Sequence, residues 1–524
     1  MAATVAITKI IGFVYKIPLY NWLGDEGTHH FQVMYTIYNL LLTVSTAGIP
    51  VALSRLISSA DTTGRPMQVK RYFSVGLAVF TVVGIVGSAA MFIFARQLSN
   101  FMGDYEIVTG VRVLAPAVLF ACLVSVYRGY SQGFGNMVPT SISQIMEVGC
   151  KLLFGLPIAW ILLRKGMASA QLAAGAIVGV TVGLALAIPI LMWYKRRMDS
   201  ARAGPLVDPD VPSGRLETAE KILRISLPIT LGSSIMNIIS LIDTKLILER
   251  LEYGAGLSYA ATKTLNGVYS KGLALFNMPA AFITPVAVSV VPFIAAAIAK
   301  REHGEAKNIM ESSLKLTSLL GMPAAVGLCV LAKPIFNVLY VNSHEIGPSL
   351  LSVLGIASYF VCTYIVTNAL LQASGHESIA LLALPAGGIV KIAANWVLVG
   401  NPSVNISGAP VSTLMCYFVI TAMNFIFIAA KVKERPSFTR ACLRPLICSL
   451  IMGAVAWGSY ALISRVGFKL LGTGRIAIML CLAATIIVAV VVYGVLIVVT
   501  KTVTQEDMKL VPKGDKIAKL LKIR

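Results

Sequence analysis

Gln132 to Lys151 reads QGFGNMVPTSISQIMEVGCK, and 240 positions later Gln372 to Lys391 reads QASGHESIALLALPAGGIVK. Gln132, Gly135 and Lys151 recur as Gln372, Gly375 and Lys391. Both copies lie in apolar, membrane-spanning sequence. A shorter echo lies upstream, where Pro50-Val51-Ala52-Leu53-Ser54 resembles Pro285-Val286-Ala287-Val288-Ser289 at an offset of 235. Two related membrane lobes facing a central site are a common build for a secondary transporter. The repeat predicts such a pair of lobes here.

Composition supports that class. Of 524 residues, 57% are hydrophobic and only 13% charged, where a soluble domain carries roughly 25% charged. Apolar runs long enough to cross a bilayer recur about 14 times. Their bounds are 2–20, 32–56, 72–95, 107–130, 137–162, 168–194, 222–248, 262–298, 311–341, 347–372, 377–399, 406–430, 442–464 and 474–500. The expected fold is an all-α polytopic membrane protein: two six-helix lobes in parallel repeat, plus two extra C-terminal helices. The expected domains are an N-terminal lobe (1–195), a polar linker (196–221), a C-terminal lobe (222–430), two additional spans (431–500) and a basic tail (501–524). Pro279, Pro285 and Pro292 interrupt 262–298, which predicts a kink there or a part outside the membrane. The tail from Lys513 to Arg524 reads equally as an amphipathic surface helix or as a disordered basic segment.

The net charge of +21 does not point to nucleic acid, because of where it sits. Lys and Arg gather in alternate loops: Arg55 to Arg71, Lys195 to Arg224, Lys300 to Lys307, Lys431 to Arg444, and the tail from Lys501. The loops of Asp25-Glu26 and of Asp104 and Glu106 are poor in them. The positive-inside rule then places both termini in the cytoplasm and the basic loops against anionic lipid. Arg164-Lys165 and Arg465, Lys469 and Arg475 run against this scheme. The eight cysteines fall in or beside apolar spans with no CxxC pair, and read as small buried hydrophobes. The five histidines (His29, His30, His303, His344, His376) read as loop residues without ligand spacing, so no metal and no cofactor is expected. No Walker loop, zinc HExxH or nucleophile elbow is present, and no enzymatic activity is expected.

Ionisable residues at membrane depth are costly and mark candidate sites. Lys9, Gly12 and Lys16 share one face of span one. Two ammonium groups beside a glycine gap can receive a diphosphate, or both can snorkel to the interface. Gln144, Glu147 and Lys151 share a face of span five, where Glu147 and Lys151 can pair; that pair is either a substrate or proton contact or a structural bridge. On span seven lie Asn237, Ser240, Asp243 and Thr244. Lys391 and Asn395 on span eleven are candidate partners of Asp243, as a switchable cation or proton site or as a permanent salt bridge. In the sharper version, the Lys391 ammonium takes the place of a metal ion beside Asp243. Arg128, in Tyr127-Arg128-Gly129-Tyr130-Ser131-Gln132-Gly133, and Lys271 on span eight complete the set. Arg128 is either a phosphate grip or a flanking positive charge.

Lys9-Ile10-Ile11-Gly12-Phe13-Val14-Tyr15-Lys16-Ile17-Pro18-Leu19 resembles the opening of the stage V sporulation protein B family. Tyr127 to Gly133, Gln144 to Lys151, Asp243-Thr244, and Lys391 with Asn395 resemble it too. That family stands with the MurJ-type lipid II flippases in the multidrug/oligosaccharidyl-lipid/polysaccharide exporter superfamily. The resemblance implies a flippase that moves a polyprenyl-diphosphate-linked sugar, lipid II or a related peptidoglycan precursor, from inner to outer leaflet by alternating access. It also implies a bacterial cytoplasmic membrane and a groove for the lipid tail beside the two extra spans. The MurJ-type pattern has central arginines; here Lys9 and Tyr15-Lys16 stand on span one, Leu42 on span two, and Ala274 with Lys271 on span eight. The MurJ-type sodium site uses acidic or amide ligands on spans seven and eleven. Asp243 and Asn395 match that sense and Lys391 departs from it. Two other functions remain open: a multidrug–cation antiporter of the same superfamily, and a membrane scaffold recruiting cell-wall or spore enzymes.

Overall fold

The computed structural model describes residues 2–202, 211–433, 436–472, 474–500 and 502. Among them there is no strand. The helices are α1 (Ala2–Thr46), α2 (Ile49–Thr62), α3 (Pro66–Ile93), α4 (Ala95–Phe101), α5 (Val108–Gly133), α6 (Val138–Cys150), α7 (Leu156–Arg164), α8 (Ser169–Ala201), α9 (Arg215–Glu249), α10 (Tyr259–Phe276), α11 (Met278–Ala299), α12 (His303–Val330), α13 (Ala332–Leu339), α14 (Gly347–Ala373), α15 (Glu377–Leu398), α16 (Gly408–Lys431), α17 (Phe438–Leu471) and α18 (Arg475–Val499). Twelve helical stretches among the described residues are long and apolar enough to cross a membrane, and Leu382–Leu398 is a shorter apolar helix. The sequence spans 2–20 and 32–56 merge into one candidate, Ile7–Thr62. That merger reconciles these stretches with about 14 crossings.

Helices are what a bilayer allows. Their backbone bonds close internally, so the outward face needs only apolar side chains. Val82, Val86, Leu153, Trp457, Ile487 and Val490 accordingly point outward, more than 60% exposed.

Two compact units divide the chain: residues 3–249 with 259–267, and 250–258 with 268–524. In the first, α5 packs against α2, α3 and α8, α6 packs against α8, and α9 joins through α2 and α3. Its core gathers Leu53, Ile57, Val69, Phe80, Val126, Tyr130 and Ile222. In the second, α14 packs on α11, α12 and α16, and α15 packs on α16. The added pair, α17 and α18, lies together, with α17 on α12. Leu331, Met452, Ala456, Leu482 and Ala489 form the seam.

The repeated glycines have a physical role. Gly135 (φ 71°) and Gly375 (φ 76°) are both left-handed. Gly135 N–H donates to Gln132 O and Asn136 N–H to Ser131 O; Gly375 N–H donates to Gln372 O and His376 N–H to Leu371 O. Both helices therefore end in the same Schellman cap, in which the positive φ favours glycine. The upstream echo is not structurally equivalent: Pro50 opens α2, whereas Pro285 lies inside α11.

Two expectations need revision. Asp25-Glu26 is not a loop, since α1 continues past it and turns at Gly24 alone (φ 69°, ψ −167°). A single glycine supplies the bend that a loop was expected to supply. The polar linker is shorter than its composition suggests. Helix α8 runs to Ala201 because Lys195 pairs with Asp199 at 2.5 Å and lies over the rings of Phe73 and Tyr130, while Tyr130 Oη donates to Asp199. The kink expected in 262–298 is present: the helix breaks at Asn277, just before Pro279 near the start of α11. The tail, Lys513 to Arg524, lies outside the described residues.

Candidate functional site

Glycines bring the charged helix close. On α8, Gly175, Gly179 and Gly183 recur every four residues on one face. A Cβ at Gly179 would lie 3.0 Å from Lys151 Cα and 2.8 Å from Gly155 N. One at Gly183 would lie 3.0 Å from Glu147 O. Small residues permit this close helix approach in a membrane, where van der Waals packing drives association. Between α6 and α7 the chain makes a π-helical turn, Lys151–Gly155. Such turns are rare and frequent at functional sites. Gly155 sits against Ala176 O, to which Tyr15 Oη of α1 donates at 3.4 Å.

This packing assembles a charged group that the sequence spacing only half reveals. Glu147 lies 3.3 Å from Lys151 and 3.6 Å from Arg128. Arg128 Nε donates to Ser143 Oγ at 2.8 Å, and Lys151 Nζ donates to Tyr35 Oη at 3.4 Å. Lys151 Nζ also lies 5.9 Å from the Tyr35 ring centroid. Arg128, set apart by the sequence reading, thus belongs with Glu147 and Lys151. Gln144 shares the helix, and its Oε1 is buried without a hydrogen-bond partner among the described residues. Lys16 is half-buried, lies 5.9 Å from the Tyr20 ring centroid, and is within electrostatic range of Tyr35 and Lys151. Lys9 is exposed about two turns earlier on the same face, and nothing lies within 4 Å of where a Gly12 side chain would begin. The glycine gap between the lysines is real space.

The other candidates lie on other helices. Asn237 Nδ2 donates to Thr43 Oγ1 at 3.0 Å, and Asp243 is buried on the same helix of the first unit. Lys391 and Asn395 belong to the second unit. Asn395 is fully buried and accepts from Ser412, and Lys391 is half-buried. Lys271 is 1% exposed, with Nζ 3.5 Å from Ser343 Oγ and 5.5 Å from the Tyr340 ring centroid. It is a buried cation within its unit.

The reading missed a second cluster in the first unit. His29 and His30 do not lie in a loop. They lie on α1 just past the Gly24 bend, 1% and 0% exposed. Asp104, from the turn before α5, is 0% exposed and meets both: its Oδ2 lies 2.6 Å from His30 Nδ1 and 3.2 Å from His29 Nε2. His303 is also helical, at the start of α12. Glu106 lies 3.3 Å from His30 Nε2, and Lys263 bridges Glu26 at 2.5 Å and Glu106 at 3.0 Å. Burial alone would push the Asp104 carboxyl up; the two imidazoles outweigh it and hold it well below the usual carboxylate range. The partners stand some 74 residues apart in sequence, so no local spacing signals the cluster. Its only trace is a His-His pair beside acidic residues.

Residues 1–298, more than half of the chain, match the polysaccharide biosynthesis protein family. The chain belongs to that family. It is 28% identical over 520 residues to the uncharacterized membrane protein YabM of Bacillus subtilis (strain 168), covering 99% of this chain and 94% of that protein. It is 22% identical over 517 residues to stage V sporulation protein B of the same organism, covering 97% and 95%. Among solved structures it is similar to the lipid II flippase MurJ in an inward closed conformation. There the TM-score is 0.67 at 13% identity, covering 95% of this chain and 98% of that one. These similarities agree with the resemblance read from Lys9–Leu19 and its companion motifs, and the fold is similar to that of the lipid II flippase MurJ.

Proposed function

We propose that the chain is a flippase that carries a polyprenyl-diphosphate-linked oligosaccharide, of the lipid II type, from the inner to the outer leaflet of a bacterial cytoplasmic membrane. One observation carries the reading: Lys16, Arg128 and Lys151, on helices long and apolar enough to cross a membrane, gather around the carboxylate of Glu147. Charge in that setting is costly unless something neutralises it. A diphosphate brings the missing negative charge, and its isoprenoid tail can remain in lipid. The open space at Gly12 leaves room for phosphate oxygens between two ammonium groups. No covalent step is required; binding at the cations and alternating access suffice. Asp243, Asn237, Lys391 and Asn395 are proposed coupling residues, and both termini and the basic loops are proposed to face the cytoplasm, against anionic lipids. Cell-wall synthesis proteins are proposed partners there.

The test is translocation of labelled lipid II by purified protein in proteoliposomes. Lys16→Ala and, separately, Lys9→Ala are expected to abolish it while the protein remains in the membrane. Native mass spectrometry should show lipid II preferred over undecaprenyl phosphate and over an unrelated glycolipid. Full transport by both variants would remove the diphosphate clamp. Absence of any lipid preference would leave the cationic-drug antiporter as the better reading, although these cations repel such cargo.

A further inference from the structure

We propose that His29, His30 and Asp104 form a binding site for a divalent transition-metal cation, best suited to zinc, at the Gly24 bend of α1. The donor atoms are His29 Nε2, His30 Nδ1 and Asp104 Oδ2, and they lie within 4.8 Å of one another. Ligands at about 2.0–2.1 Å in a tetrahedron stand roughly 3.3 Å apart. His29 Nε2 lies 3.2 Å from the Asp104 oxygen and His30 Nδ1 2.6 Å from it, so small side-chain movements suffice to admit an ion. His29 Nε2 is buried and lies against the Asp104 carboxylate. In the tautomer with its proton on Nδ1, His29 Nε2 offers a lone pair that a metal ion accepts.

The outer ring of contacts fits as well. A metal-bound imidazole normally has its other nitrogen held by a carboxylate or amide. His30 Nε2 faces Glu106 at 3.3 Å, and His29 Nδ1 meets the Asn266 side-chain amide at 2.8 Å. With that amide turned to present its oxygen, both imidazoles are oriented for the same ion. The charges agree too. Glu26, Asp104 and Glu106 oppose the single ammonium of Lys263, leaving two negative charges when both histidines are neutral. Glu26 and Glu106, 44% and 37% exposed, mark an acidic way in from the surface. Two imidazoles and one carboxylate favour zinc over calcium or magnesium.

The probe is cobalt(II), then zinc, added to the full-length, tag-free chain in detergent. One cobalt per chain is expected, with the intense visible absorption of a tetrahedral site. His29→Ala and Asp104→Asn should abolish it. Glu106→Gln and Asn266→Leu should weaken binding about 10- to 100-fold. His303→Ala and His344→Ala should bind as the parent does. X-ray absorption of the zinc-loaded parent should show two imidazoles with oxygen scatterers, a readout that needs no variant to fold. No stoichiometric metal on the parent, fewer than two imidazoles, or unchanged binding by His29→Ala overturns the proposal. A cluster that only takes up protons gives the first of those results. None of these measurements depends on the transported substrate.

Discussion

Replacing Glu147 with glutamine keeps the shape of the side chain and removes the one negative charge between Arg128 and Lys151. The two cations, Arg128 on α5 and Lys151 just after α6, then lose the carboxylate that lies between them. Removing one partner of a buried ion pair costs about 3–5 kcal/mol. The side chains of Arg128, Glu147 and Lys151 are 16%, 24% and 14% exposed, so the lower end, about 3 kcal/mol, applies. For a cooperative unit of about 250 residues this lowers the melting midpoint by roughly 6–12 °C. Lys151→Met should cost clearly less, because Arg128 and Glu147 remain matched one to one. The double variant Glu147→Gln/Lys151→Met should recover part of the loss, since it leaves one cation rather than two. The assay is thermal unfolding of purified protein in detergent, all four forms at one salt concentration. A Glu147→Gln midpoint within a degree of the parent refutes the reasoning. So does a Lys151→Met variant that melts as low as Glu147→Gln.

Three further outcomes follow from the packing. Gly179→Val should destabilise by about 1–3 kcal/mol, because its Cβ meets Lys151 Cα and the Gly155 nitrogen, which are backbone atoms and cannot swing aside; the same thermal assay reads it. Gly135→Ala and Gly375→Ala should each cost about 1–2 kcal/mol through the left-handed φ alone, with open space around both sites, whereas Gly12→Ala should leave stability unchanged. In transport, Gly12→Leu should impair lipid II translocation although nothing in the fold resists it, since it fills the gap between Lys9 and Lys16; normal transport would separate that gap from the substrate path.

The helices were legible because each span needs a long apolar run, and the bilayer imposes that locally. The caps at Gly135 and Gly375 were legible as a repeat, though only the structure shows that the positive φ makes the glycines recur. Glu147 with Lys151 was readable from an i,i+4 spacing. Arg128 joining them was not, because its approach depends on how α5 packs beside α6. The histidine cluster was hidden for the same reason. His29-His30 and Asp104 sit on different elements, and an apparent loop at Asp25-Glu26 concealed that α1 carries the histidines inward. The burial of Lys271 beside Tyr340 was likewise not legible, because Tyr340 lies far along the chain.

The π-turn at Lys151–Gly155 sets the two copies of the repeat apart. A π-turn accommodates one more residue than the α-turn it replaces, so beyond it the helix faces are rotated by about 100°. Helix α15, the partner copy, runs as uninterrupted α-helix from Glu377 to Leu398. The duplication therefore goes out of phase at the very lysine it repeats. Up to Lys151 and Lys391 the copies can present matching residues at matching angles; past them they cannot. Deleting a single residue from 152–154 would bring the two copies back into phase while swinging α7 away from its contacts with α8.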